Sequence, residues 1–273
     1  MKSVLRRLPV IVIGIPTVIT IVNIGGLFFS ILLSVVALLC LYEFYKLAEA
    51  KKILPNRLLG AIAVVFICYF YYNTSNLSLL TILFYSFSLI ILIIFLETFR
   101  KTSDPLVNIS ATFLGILYVG LLLGSMIALR QFDSFYGSKF TLTMLISVWV
   151  CDSFAYTFGK SWGKKKLIER LSPKKTIVGF LAGNVGAFLS IYILNYYNII
   201  QCNLSISLIL IMTIIVGVFG QWGDIAESMF KRDADLKDSG ALLLGHGGFL
   251  DRCDSLILTS PLMLIFSLYI HSL

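Results

Sequence analysis

The densest run of chemistry-bearing side chains in this 273-residue chain is residues 228–254, SMFKRDADLKDSGALLLGHGGFLDRCD. It sets Lys231, Arg232, Lys237 and Arg252 among Asp238, Asp251 and Asp254, and gathers three glycines around His246. Asp224, Glu227 and, farther upstream, Asp152 stand at or inside the ends of apolar segments. Acids in such places are costly and are functional candidates by default. On a helix Asp224 shares a face with Glu227 and Ser228, and Asp251 shares one with Asp254. Two carboxylate pairs at neighbouring segment ends make an oxygen-rich site for a hard divalent cation. Magnesium, which takes a few carboxylates, water and substrate phosphates, suits it. The same acids could instead form ordinary ion pairs with Lys231, Arg232 and Arg252, and spacing leaves both readings open.

A second polar stretch runs from Gly159-Lys160-Ser161-Trp162-Gly163-Lys164 to Ser172-Pro173-Lys174-Lys175-Thr176. Glycines let backbone N–H groups approach an anion and lysines supply charge. The spacing is not that of a nucleotide P-loop, which needs four residues between its glycines and a hydroxyl after the lysine. The lysines alone would also serve to bind anionic lipid headgroups. His246, flanked by glycines, could donate to a phosphate or titrate near neutrality, or be structural. His271 has no such context and reads as an interfacial residue.

The elements that must hold these residues are apolar. The chain is 58% hydrophobic and 13% charged, against about a quarter charged in soluble domains. Apolar runs of about twenty residues cross a bilayer, and only helices or closed barrels satisfy their backbone there. The runs are continuous rather than alternating, which excludes a barrel. The expected fold is an all-α, polytopic integral membrane protein with about nine transmembrane helices. They lie near residues 8–24, 26–45, 58–72, 77–96, 106–129, 140–158, 176–196, 205–228 and 254–270. The first run is expected to be a retained span, because no clear cleavage site follows it. With the N-terminus in the cytoplasm, 20 of the 22 Lys and Arg fall on the inner side and only Arg130 and Lys139 outside, as the positive-inside rule requires. The net charge of +8 is thereby explained without nucleic acid. Five cysteines show no metal-finger or disulfide pattern. The expected division is residues 1–139, about five spans, and residues 140–273, a catalytic membrane region with two cytoplasmic polar loops.

Residues 228–254 resemble the signature of the phosphatidate cytidylyltransferase (CDP-diacylglycerol synthase) family. Ser228, Lys231, Arg232, Lys237, Asp238, Gly245, His246, Gly247, Gly248, Asp251, Arg252 and Asp254 fall at its fixed positions. Upstream, Gly223-Asp224 before Glu227-Ser228, the stretch from Asp152 to Gly163, and Ser172 to Thr176 are similar to three further motifs of that family. Leu244, Cys253 and Val178 depart from it, standing where the family usually has Pro, an apolar residue and Glu. The resemblance implies that CTP and phosphatidic acid give CDP-diacylglycerol and pyrophosphate at a membrane surface, with one or two bound cations, Mg2+ among them. It implies metal ligands at Asp224, Asp251 and Asp254. Lys231, Arg232, Lys237 and Arg252 would contact CTP or lipid phosphate, aided by Lys174 and Lys175, with His246 and its glycines shaping a phosphate loop. Further substrate contacts would come from Asp152, Lys160, Ser172, Thr176, Ser228, Asp238, Gly247 and Gly248. It also implies a homodimer; the expected location is the inner membrane if the source is bacterial, with the active site on the cytoplasmic side that the Lys and Arg distribution marks.

Two rivals stand beside this reading. A CTP-dependent lipid-alcohol kinase would share part of the polar C-terminal pattern but would release CDP. A transporter would account for Asp152, Asp224 and Glu227 inside apolar segments, although no matching broken helices mark two halves. The motif of a CDP-alcohol phosphotransferase is absent.

Overall fold

The computed structural model describes residues 8–73, 79–240 and 247–272. The chain is built of helices: α1 (Leu8–Ile24), α2 (Gly26–Ala50), α3 (Arg57–Tyr72) and α4 (Leu79–Phe99). They are followed by α5 (Pro105–Gln131) and α6 (Tyr136–Trp162), and, after a small hairpin, by α7 (Ile177–Tyr196), α8 (Ile206–Asp233) and α9 (Leu250–Ser272). Among the described residues α2 and α5 to α9 are long and apolar enough to cross a membrane. Shorter apolar helices cover Gly14–Ile24, Arg57–Tyr72 and Phe84–Phe99. The chain is an all-α, polytopic integral membrane protein. Its outer faces carry exposed Phe, Ile and Leu, such as Phe28, Phe84, Ile91 and Leu106, as a surface solvated by lipid requires.

Several helices run past the apolar stretches that mark them in the sequence. α2 continues through Lys46 and Glu49 to Ala50, and α6 runs to Trp162. The helical backbone satisfies its own hydrogen bonds in water as in lipid, so hydropathy marks the slab and not the helix end. One element departs from the all-helical reading. Between α6 and α7 the lysine-rich segment forms an antiparallel pair, β1 (Lys166–Ile168) and β2 (Ser172–Thr176), with Lys166 opposite Thr176 and Ile168 opposite Ser172. Pro173 lacks an N–H and suits such a short edge strand.

Two helices contain π-helical turns, Ile116–Leu123 in α5 and Ile214–Phe219 in α8. Such turns insert an extra residue and rotate the face that follows. In α8 this happens just before the segment carrying Asp224, Glu227, Ser228 and Lys231. Three rings, Phe44 of α2, Tyr118 of α5 and Phe230 of α8, meet with centroids 5.3 to 5.6 Å apart. Aromatic pairs at this range add about 0.5–1.5 kcal/mol beyond area burial. They fasten the N-terminal helices to the polar end of α8.

The contact that matters most for the site is between α8 and α9. At Gly223 the helices come so close that a Cβ would collide with the carbonyl oxygen of Asp254, and Gly220 faces Thr259. Small residues permit backbone approach of this kind where hydrophobicity cannot drive helix association. Overpacking a close crossing costs about 1–3 kcal/mol. We therefore expect Gly223→Ala to lower thermal stability in detergent by an amount in that range, and Gly220→Ala, whose Cβ meets only a methyl at 3.3 Å, to lower it less. Comparison of the two melting curves checks this.

Candidate active site

The crossing at Gly223 brings Asp224 and Glu227 of α8 beside Asp254 of α9, with one carboxyl oxygen of each within 4.8 Å of the others. Ionised carboxylates at that separation repel by about 3–4 kcal/mol per pair at an effective dielectric of about 20. Two lysines flank the trio. Lys175 Nζ, from β2, lies 2.7 Å from Asp224 Oδ2. Lys231 Nζ, one turn along α8, lies 2.5 Å from Glu227 Oε2 and 2.5 Å from Asp251 Oδ1. Two ammonium groups thus face four carboxyl groups.

Glu227 is fully buried. The contact with Lys231 is not along a hydrogen-bonding direction, and neither oxygen of Glu227 accepts a hydrogen bond among the described residues. Lys231 offsets the charge of Glu227, and the carboxyl oxygens of Asp224, Glu227 and Asp254 together could hold a hard cation. Ser228 donates weakly to Asp224 Oδ1 at 3.4 Å and so steadies the exposed member of the trio.

Asp251 is held from the other side. Its Oδ2 accepts from the backbone of Gly248 at 2.8 Å and from the hydroxyl and backbone N–H of Ser239 at 3.0 and 3.3 Å. Gly247 has φ +81°, a conformation side chains rarely adopt, and a Cβ there would press on the same oxygen. The glycine pair therefore folds the chain over Asp251 at the start of α9.

On the open side of Asp224 lies a cleft of about 560 Å³ lined by Asp152, Tyr156, Lys160, Lys166, Lys174 and Lys175, with Gln221 at its floor. α6 supplies Asp152 and Lys160, the hairpin supplies the other lysines, and α8 supplies Asp224. Alternation along β2 leaves Lys174 exposed and turns Lys175 to Asp224, and both line the cleft. A concave, lysine-rich pocket next to clustered carboxyl groups is suited to a polyphosphate and its counter-cation.

Comparison with known proteins decides the family. Residues 5–270 match the sequence pattern of the Cytidylyltransferase family. The chain belongs to that family. It is 31% identical over 246 residues to the phosphatidate cytidylyltransferase of Bacillus subtilis (strain 168), covering 89% of each chain. It is 32% identical over 242 residues to that of Staphylococcus haemolyticus, covering 88% of this chain and 89% of the relative. Against that of Staphylococcus saprophyticus the match is 41% over 134 residues, about half of each chain.

With the chain placed in the cytidylyltransferase family, the residues expected from the sequence sort by geometry. The metal trio read from the sequence was Asp224, Asp251 and Asp254. The structure brings Asp224 and Asp254 together with Glu227, while Asp251 pairs with Lys231 and accepts from Ser239 and Gly248. Lys231 lies inside this acid network, 9% exposed, rather than out in the cleft. Arg232 is exposed and donates to the carbonyl oxygens of Leu171 and Leu236, tying the hairpin to the end of α8. Thr176 is buried and caps α7, its Oγ1 accepting from the Gly179 N–H at 3.1 Å. Gly159 and Gly163 pack against this hydroxyl at the α6–α7 junction, and both also line the cleft. Ser172 is half-buried in β2, while Lys237, Asp238 and Arg252 are exposed. Cys253 is buried in the core and Val178 half-buried. His246, Gly245 and Leu244 lie outside the described residues. His271 lines a separate hollow with Phe132 and Tyr136.

Two contributors were not in the sequence reading. Gln221 sits at the cleft floor, with its side chain donating to the carbonyl oxygens of Phe180 and Gly217. Glu43, on α2, accepts from Ser239 and Leu250 at the far side of Asp251. The rule that flagged Asp152 and Glu227 also covers Glu43, an acid inside an apolar run.

Removing one partner of a buried ion network leaves uncompensated charge and costs about 3–5 kcal/mol. Lys231→Ala should therefore destabilise the protein by an amount of that order, and Lys231→Ala combined with Glu227→Gln by markedly less. Thermal unfolding of the two variants in detergent checks the ordering.

Proposed function

We infer that this chain is a phosphatidate cytidylyltransferase: it joins CTP and phosphatidate to give CDP-diacylglycerol and pyrophosphate. The observation that carries the reading is the acid trio Asp224, Glu227 and Asp254 set against a lysine-lined cleft, in a chain of the cytidylyltransferase family. A phosphate oxygen of the lipid forms a bond to the α-phosphorus of CTP. The bond from that phosphorus to the bridging oxygen of the β-phosphate breaks, and its electron pair leaves on pyrophosphate. The attacking phosphate is already ionised near neutral pH, so no side chain is needed as a general base, and His246 is given no such role.

Both reactants are anions, so the site must neutralise charge and hold them in line. Lys160, Lys166, Lys174 and Lys175 are placed to hold the triphosphate. Lys175 also links the cleft to Asp224. Asp224, Glu227 and Asp254 are the residues that would hold magnesium, whose positive charge when bound offsets that of the phosphates. Lys231 and Asp251 keep Glu227 and the start of α9 in place. Arg252, Lys237 and Asp238 are exposed nearby and remain candidates for substrate contact, as is Asp152 at the cleft wall.

In the same reading all nine apolar helices cross the membrane, with the N-terminus and both polar loops in the cytoplasm. The distribution of Lys and Arg supports this. The relatives are bacterial, which favours the inner membrane, and the protein acts as a homodimer, as the resemblance implies. Hydrogen bonds donated by Ser239 and Leu250 to Glu43 cross the proposed division between residues 1–139 and 140–273. That division describes where the motifs lie. The kinase rival is not favoured by the family match.

Purified protein given phosphatidate, labelled CTP and magnesium should yield CDP-lipid and pyrophosphate, and none with EDTA. Transfer of the γ-phosphate to a lipid alcohol would overturn the reading. Asp224→Asn, Glu227→Gln and Asp254→Asn should each lower kcat on the order of a hundredfold or more, the loss typical of a pre-organised electrostatic group. A variant with normal magnesium-dependent turnover would remove that residue from the site. For the orientation, a cysteine at Lys164 in a Cys202→Ala background should react with an impermeant maleimide only after cells are opened.

A further inference from the structure

The mechanism leaves one buried acid unexplained. Glu43 lies in α2, far from every sequence motif, and is fully buried. Its Oε2 accepts from the Leu250 backbone N–H at 2.9 Å and from the Ser239 hydroxyl at 3.0 Å. Its Oε1 accepts no hydrogen bond among the described residues. Gly240 and Gly248 lean on the same carboxyl group: a Cβ at Gly240 would collide with Oε1, and one at Gly248 with Oε2. Segments on both sides of residues 241–246 thus close around one side chain from the other half of the chain.

The position is telling in two ways. Leu250 is the first residue of α9, whose opening N–H groups have no partner within the helix. A local Ser, Asp or Asn would usually supply a cap; here an acid some 207 positions away does so. Second, the Ser239 hydroxyl is 3.0 Å from Glu43 Oε2 and 3.0 Å from Asp251 Oδ2, with one hydrogen to give. Asp251 is 2.5 Å from Lys231, and Lys231 is 2.5 Å from Glu227 of the trio. A continuous polar path runs from α2 to the candidate metal site. Burying a carboxyl group among apolar helices is costly, and helix capping alone does not require it.

We propose that Glu43 is a positioning residue for the transfer: it fixes Ser239 and the first turn of α9, and through them the Asp251–Lys231 pair that orients Glu227. The proposal rests on the cytidylyltransferase reading. Glu43 is neither in the cleft lining nor in the trio, so its loss should act on turnover more than on binding.

The test compares purified wild type, Glu43→Ala, Glu43→Gln and Ser239→Ala. Glu43→Ala should lower kcat about thirtyfold with KM for CTP within about threefold, the split expected when transition-state geometry alone is disturbed. Glu43→Gln, whose amide oxygen can take both hydrogen bonds, should keep kcat within about threefold of wild type. Ser239→Ala should lower kcat about five- to tenfold with KM unchanged, and it carries the test if Glu43→Ala does not fold. Amide hydrogen exchange of residues 248–252 should speed up about tenfold or more in Glu43→Ala, because the Leu250 N–H loses its acceptor. Unchanged kcat in folded Glu43→Ala or in Ser239→Ala would overturn the proposal. So would equal loss in Glu43→Gln and Glu43→Ala, or unchanged exchange. If the wild type made no CDP-lipid the functional reading would fall, while the exchange measurement would still test the clamp.

Discussion

Three carboxyl groups within 4.8 Å of one another at the polar end of an apolar helix pair are the constraint on which this molecule turns. Left alone they would push α8 and α9 apart. The helices stay together because Gly223 lets the backbones meet, because lysines from two different elements flank the acids, and because an aromatic cluster pins α8 to α2 and α5. Each device offsets part of the repulsion without removing the negative potential that attracts a cation.

The lysines differ in what they do. Lys175 sits at the mouth of the cleft, partly exposed, bridging Asp224 to the solvent side where the other lysines stand. Lys231 is sunk between Glu227 and Asp251 and cannot reach outward without leaving one buried and one half-buried acid. One ammonium group lines the cleft and the other is sunk among acids, though both stand at basic positions of motifs read from the sequence. Exposure at the level of the ammonium group makes the distinction.

Glycines show the same division. Gly159 and Gly163 alternate with lysines and line the cleft, and their missing side chains also leave room for the Thr176 hydroxyl at the α6–α7 junction. Gly247 and Gly248 do shape a polar loop, but the anion they enclose is the Asp251 side chain. The junction packs where the hairpin leaves the membrane helices, and β2 carries Lys175 to within 2.7 Å of Asp224.

The sequence by itself determined the class of fold, the family, and the neighbourhood of the chemistry. Long apolar runs have few ways to satisfy their backbone, and motif residues at fixed spacings in α8 and α9 need only helical periodicity to share faces, as Asp224 and Glu227 do. It did not determine which acids converge. Asp251 and Glu227 are equally plausible ligands by spacing, and the choice depends on how α8 and α9 cross and on a π-helical turn that rotates the face of α8. Nor did it determine that Glu43, separated from Leu250 by most of the chain, closes around the start of α9. Such contacts arise from tertiary packing, because a hydrogen bond needs a partner within about 3 Å and says nothing about how far apart the partners stand in sequence.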